Sequence, residues 1–250
     1  MGILYFQEPQ YITTPWIYHN PDLWLISLSS NWTNWITIAD KNLWATTVWS
    51  SWDTLDESNC GKFYQQWNNF GFPHTWPVTT SNTQVNASTY WPWNYYSSNV
   101  FITSNSDGWD NSDNKNLWWG VTGTYEAMQW PCDTGFHVPS ANDWQSLLDI
   151  WIALWWGAND GTNLWLAFKL PFAWYLLFRS PSLSGAGTNW FYWSATQNSD
   201  SIGRGHAINF TSANISMLNN TLNNNWLSIR PFANTPIQPD ETWTVLYQPS

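Results

Sequence analysis

Four histidines, two cysteines and seventeen acidic residues are the groups in this 250-residue chain that could act as base, nucleophile or metal ligand. His19, His74, His137 and His206 stand far apart, and none has the short spacing to a serine, cysteine or second ligand that triads and zinc sites use. No pair of carboxylates of the kind glycoside hydrolysis needs stands out from turn and cap positions. Asp107, Asp110 and Asp113, in SNSDGWDNSDNKN, could offer oxygen ligands to calcium, but their spacing departs from an EF-hand loop and a solvated turn is the better reading. Cys60 and Cys132 allow either one disulfide in an oxidising compartment or two buried free thiols. His137 in GFHVP reads as a hydrogen-bonded scaffold residue, and Arg230 in SIRPF as an internally paired cation that locks the last strand. This inventory predicts no catalytic set, no cofactor and no metal site.

The elements that would position these groups are unevenly specified. In PCDTGFHVPSANDWQSLLDIWIALW (131–155), Ser140 is a suitable N-cap and Asp143 lies at N3, where a carboxylate meets the positive helix end. Trp144, Leu147, Leu148, Trp151, Leu154 and Trp155 then recur at helical spacing and form one apolar stripe that requires a sheet to cover it. Residues 23–47 read as strand, turn, strand, with Leu25, Ile26 and Leu28 before the turn and Trp35, Ile36 and Ile38 after it. Thr54 and Glu57 have capping-box spacing and predict a short helix. The region 73–99 reads as an irregular surface excursion. Three short strands are expected at 191–196, 206–210 and 227–232, joined by long polar loops at 198–204 and 219–225.

Composition removes several classes of function. With seven basic residues, scattered, and a net charge of -10, the chain has no electrostatic footprint for a phosphate backbone, so nucleic acid is not an expected partner. The longest apolar runs, 150–158 and 170–178, are shorter than the ~20 residues a membrane helix needs. The N-terminal stretch shows no basic region followed by an apolar one, so no signal peptide is visible.

Tryptophan is the anomaly: 25 Trp against 13 Gly, where ordinary chains carry ~7% Gly. Many stand beside Asn, Pro or Thr, where turns ask for a residue able to take positive φ. A sugar-stacking platform would need a few coplanar rings, whereas these are spread along the whole chain. The positions predict instead that many are glycines in the living protein, encoded by UGA in an organism that reads that codon as glycine. The candidates are Trp24, Trp32, Trp44, Trp67, Trp91, Trp93, Trp130, Trp165, Trp174, Trp190 and Trp226, with Trp35, Trp144, Trp193 and one of Trp118 or Trp119 as genuine tryptophans. The former set should concentrate at positive φ or in exposed turns.

Six segments in order, ITIADKNLWATT (36–47), CGKFYQQWNNFGFP (60–73), PCDTGFHVPSANDWQSLL (131–148), KLPFAWY (169–175), WFYWSATQ (190–197) and LSIRPF (227–232), resemble the Fibrobacter succinogenes major paralogous domain. That resemblance implies an α+β, C-type-lectin-like fold, related to the formylglycine-generating-enzyme fold, with small antiparallel sheets, one clear helix and long irregular loops. It divides the chain into an N-terminal arm (1–19), the lectin-like domain (20–234) and a C-terminal extension (235–250). Formylglycine-generating enzymes use a late cysteine pair, and nothing after Cys132 is cysteine, so the resemblance carries no enzymatic activity over. The C-terminal layout is also similar to the variable proteins of diversity-generating retroelements, in which Asn codons are the usual targets of adenine-directed mutagenesis. Asn198, Asn209, Asn214, Asn219, Asn220, Asn223, Asn224 and Asn225 make the region suitably Asn-rich.

The expected function is therefore non-enzymatic recognition of a protein or carbohydrate ligand by loops on a rigid scaffold, outside the cytoplasm, on a cell surface or phage particle. The alternative is a fixed structural or adhesive bacterial surface protein of the same fold, and behind it a formylglycine-generating-enzyme-like enzyme. The expected contact residues are Tyr192, Gln197, Asn198, Ser199, Asp200, Ser201, Arg204, His206, Asn209, Thr211, Asn214 and Ser216.

Overall fold

The computed structural model describes residues 16–31, 33–50, 55–74, 77–85, 97–103, 131–154, 161–171, 175–176, 183–184, 189–198, 203–211 and 214–247. The chain is a mixed α+β protein of short, mainly antiparallel sheets with one long helix.

The hairpin forms as its alternation predicts. Strands β2 (Leu25–Ser29) and β3 (Ile36–Ala39) pair with Ile26 opposite Ile38 and Ser27 opposite Thr37. The two hydroxyls lie 2.7 Å apart in the interior, so each supplies the polar partner the other needs. On the outer side of β2 runs β1 (Trp16–Asn20), itself flanked by the last strand, β13 (Thr244–Tyr247). The full sheet has the order β13-β1-β2-β3-β12-β6, where β6 is Phe136–His137 and β12 is Phe232–Ala233. The described end of the expected arm (1–19) and part of the expected extension (235–250) are thus neighbours in one sheet, a pairing that no local pattern reveals.

Helix α2 (Ala141–Leu154) begins where its cap predicts. The Asp143 amide donates to Ser140 Oγ at 3.1 Å, and Asp143 Oδ2 accepts from the Ser140 amide at 2.7 Å, so the box closes in both directions. Trp144, Leu147, Leu148 and Trp151 are buried as the stripe requires. They pack between the large sheet (Ile17, Ile26, Leu28, Ile38) and one face of a three-stranded sheet formed by β9 (Asn189–Gln197), β10 (Arg204–Thr211) and β11 (Ile215–Leu222). Trp190, Tyr192, Ile208 and Phe210 supply that face; Trp193, Ala195 and Ala207 face a second core with Tyr64, Leu227 and Ile229. Helix α3 (Gly161–Ala167) adds Leu164 to the first core.

Two expectations are corrected here. The short helix α1 (Glu57–Cys60) is capped by Asp56, not Thr54, which lies outside the described residues: Asp56 Oδ1 accepts from the Ser58 and Asn59 amides, and Asn59 Oδ1 accepts from the Asp56 amide. The Asn-rich segment 219–225 is not a loop. Its first half belongs to β11, and Asn223, Asn224 and Asn225 are buried, the Asn223 amide donating to Gly203 O and Asn224 O accepting from Gln65 Nε2.

Between Leu227 and Pro231 the chain makes few regular strand pairs yet joins most of the molecule by backbone bonds. Leu227 pairs with Tyr64 in both directions, Ser228 O accepts from Trp193 N, Ile229 O from Leu43 N and Pro231 O from Ala39 N. Since Pro139 O also accepts from Ala195 N, the segments 36–47, 60–73, 131–148 and 190–197 are joined by backbone bonds, directly or through one another, to 227–231.

Candidate functional site

The described residues among those expected to contact ligand fall on or beside β9, β10 and β11, and the register sorts them. Along β10, Arg204, His206, Asn209 and Thr211 are half-buried while Gly205, Ala207, Ile208 and Phe210 are buried. The pairing register of β10 shifts between Gly205 and Ala207 against both neighbouring strands, and the burial alternation breaks at Ala207–Ile208. Asn209 lies opposite Ser216 and opposite Phe191, and Thr211 opposite Asn189, so these residues share one outer row at the β10–β11 end. Exposed Asn214 completes that end: its amide donates to Thr211 Oγ1 at 2.9 Å and its carbonyl accepts from the Thr211 amide at 2.8 Å.

Gln197, Asn198 and Arg204 lie at the opposite end, where the Asn198 amide donates to Arg204 O at 3.0 Å. A strand advances about 3.3 Å per residue, so the seven steps from Arg204 to Thr211 separate the two groups by roughly 23 Å. The expected set is thus two clusters, one at each end of β10, with His206 between them; burial holds the His206 ring below its ordinary value. Ser199, Asp200 and Ser201 lie outside the described residues. Tyr192 leaves the set. It is wholly buried, its hydroxyl donates to Pro171 O at 2.9 Å, and burial raises its phenol well above the usual range.

Buried side-chain amides hold this sheet from within. Gln66 Nε2 donates to Ser194 O (2.7 Å) and Thr196 O (3.2 Å), and Gln65 bridges Ile102 and Asn224 through their backbones. Gly205 makes room for Gln66: a Cβ there would lie 1.8 Å from Gln66 Oε1. Trp193 Nε1 donates to Tyr64 O at 2.6 Å and Trp144 Nε1 to Trp193 O at 3.2 Å. Sequence reasoning missed Gln65 and Gln66, because QQ in an aromatic segment carries no sign of which strand it will bridge.

The ionisable groups form scaffold contacts. His137 Nδ1 lies 2.9 Å from Asn234 Oδ1 and Nε2 lies 3.3 Å from Asp143 Oδ2. Ser140 Oγ donates to the same carboxylate at 2.7 Å, so serine and histidine converge on Asp143 rather than forming a serine–histidine–acid relay. Burial alone would raise the Asp143 carboxyl; the bonds from His137 and Ser140 outweigh it and hold the group below the usual carboxylate range. His19 Nε2 meets buried Asp40 Oδ2 at 2.9 Å.

Arg230 is fully buried and donates to Ala39 O (3.0 Å) and Lys169 O (2.8 Å), the internal pairing its sequence context predicts. His74 stacks on Phe63 with centroids 4.2 Å apart, and burial lowers its pKa. Cys60 and Cys132 are buried free thiols; burial pushes Cys60 up to about 12 and Cys132 well above the ordinary thiol, so neither supplies a ready thiolate. No group of three metal-ligating side chains occurs among the described residues, and Asp107, Asp110 and Asp113 lie outside them. None of the described helices is long and apolar enough to cross a membrane.

A cavity of about 190 Å³ opens between Trp24, Lys41, Trp44, Asp133, Phe136 and Pro231. Its aromatic walls are the exposed rings of Trp24 and Trp44, with Lys41 Nζ 3.8 Å from the Trp24 ring centroid. No protein-family model, no curated protein and no solved structure matches the chain.

Proposed function

We propose that this chain is a non-enzymatic ligand-binding protein, a C-type-lectin-like scaffold of the Fibrobacter succinogenes major paralogous domain kind. It displays variable residues on the β9–β10–β11 sheet and serves as the target protein of a diversity-generating retroelement. The observation that carries the reading is the division of labour within that sheet. Its backbone is held by Gln65, Gln66, Trp193 and the 227–231 segment, while Arg204, His206, Asn209, Thr211, Asn214 and Ser216 reach its solvent-facing rows and ends. Replacing those side chains leaves in place the buried amides and backbone bonds that hold the sheet, which is what a surface built for many ligands requires. The ligand is a protein or carbohydrate outside the cytoplasm, on a cell surface or phage particle.

The test is to sequence the gene and its flanks from many individual cells of one population. The reading expects codon differences at Gln197, Arg204, His206, Asn209, Thr211, Asn214 and Ser216, facing adenines in a nearby template repeat. Tyr192, Trp193, Ala207, Ile208, Phe210, Asn223 and Asn224, all buried, stay constant. A uniform gene would return the chain to the fixed adhesive class.

A further inference from the structure

Among the described residues other than glycine, four have positive φ, and three of them are tryptophan: Trp24 (60°), Trp44 (65°) and Trp67 (70°). The fourth, Lys169 (51°), follows α3, a place where single left-handed residues are ordinary. Positive φ brings Cβ against the backbone, so a bulky residue there is an outlier, whereas glycine enters freely and asparagine is the next most tolerant. This Asn-rich chain places no described asparagine in that region, and the remaining positive-φ positions are Gly61, Gly135 and Gly203.

Turn geometry sharpens the demand. The Ala45 amide donates to Asn42 O at 3.0 Å and the Asn68 amide to Gln65 O at 3.0 Å, closing two four-residue turns in which Trp44 and Trp67 each occupy the third position. A turn with positive φ at its third position calls for glycine. The Trp44 ring gains little there, being 62% exposed; Trp67 fills part of the second core, yet its indole N–H lacks a hydrogen-bond partner among the described residues. Trp144 and Trp193 differ in that they lie outside the positive-φ set and, buried, donate their indole N–H groups to carbonyls.

We propose that the protein made in its own cells carries glycine at positions 24, 44 and 67, each encoded by a UGA codon that its host reads as glycine. The same geometry makes no such demand at Trp190, a residue of β9, or at Trp226, which stacks on Phe72 with centroids 5.0 Å apart; neither has positive φ. The aromatic walls of the cavity beside Lys41 are, on this reading, absent from the cellular protein.

Peptide mass spectrometry of the protein from its native cells, read against the gene, decides the matter. Glycine at 24, 44 and 67 on UGA codons, with tryptophan at 144 and 193 on UGG, is the expected result. Tryptophan in the peptides at 24, 44 and 67, or UGG codons there, overturns it. A second measurement uses the chain with tryptophan at these positions: the Trp24→Gly, Trp44→Gly double variant, which removes only exposed rings from positive-φ positions, should melt higher than its parent, whereas a lower Tm would make those rings native packing and sink the assignment.

Discussion

At the scale of single residues, the acid response of this protein is set by groups whose protonation the fold resists. Burial depresses His74, so above about pH 6.5, the ordinary imidazole value, it is neutral in folded and unfolded chains alike. As pH falls from there the unfolded chain takes up the proton first, and stability is lost through the depressed folded value. Asp143 repeats the sign lower down: its contribution is intact above about pH 3.9 and disappears as pH falls through its lowered value. Tm measured against pH should therefore decline in two stages; His74→Phe, which keeps the stack on Phe63, should flatten the first, and Asp143→Asn the second. Arg230 offers a larger effect. Arg230→Met leaves the carbonyls of Ala39 and Lys169 without their donors, at about 1–3 kcal/mol for each buried group unpaired, which urea denaturation would register as a lower midpoint.

At the scale of elements, Gly205 leaves the space in which Gln66 joins the 60–73 segment to the candidate binding sheet. Gly205→Ala must displace Gln66 from the carbonyls of Ser194 and Thr196, and a loss of about 1–3 kcal/mol is expected in chemical denaturation. Ser140→Ala should cost about 1 kcal/mol by opening one half of the α2 cap. These two sites also mark how far the sequence was legible. Helix α2 and the β2–β3 hairpin are written in local signals, a cap with a stripe and an alternation with a turn, so they could be read directly. The β11 strand was missed because ISMLNNTL contains an Asn pair that local chemistry assigns to a loop, while its pairing with β10 supplies the hydrogen bonds that override the preference. The candidate site suffered similarly. Tyr192, His206 and Asn209 fall within expected strands but Ser216 belongs to the missed β11, and the close packing at Gly205 and the burial of Tyr192 depend on partners distant in the chain, Gln66 and Pro171.

At the scale of the whole molecule, the large sheet is completed by residues from both ends of the described chain, Ile17 lying opposite Tyr247 and His19 opposite Thr244. A chain shortened after Asp240 should bare the outer edge of β1, lowering Tm and raising light scattering on concentration, because an unpaired edge is a template for association. The same pairing has a consequence in time. Bacterial and other ribosomes add about 5–20 residues per second, so β1 waits on the order of tens of seconds after its own synthesis before its neighbour exists. Throughout that interval the β1–β2–β3 unit lacks the strands that flank it on either edge, β13 and β12, and contacts between distant parts of a chain are in any case slow to close. The period of greatest danger for this protein lies during its manufacture, and its yield in a cell will follow the speed of translation and the supply of chaperones more closely than the stability of the finished fold.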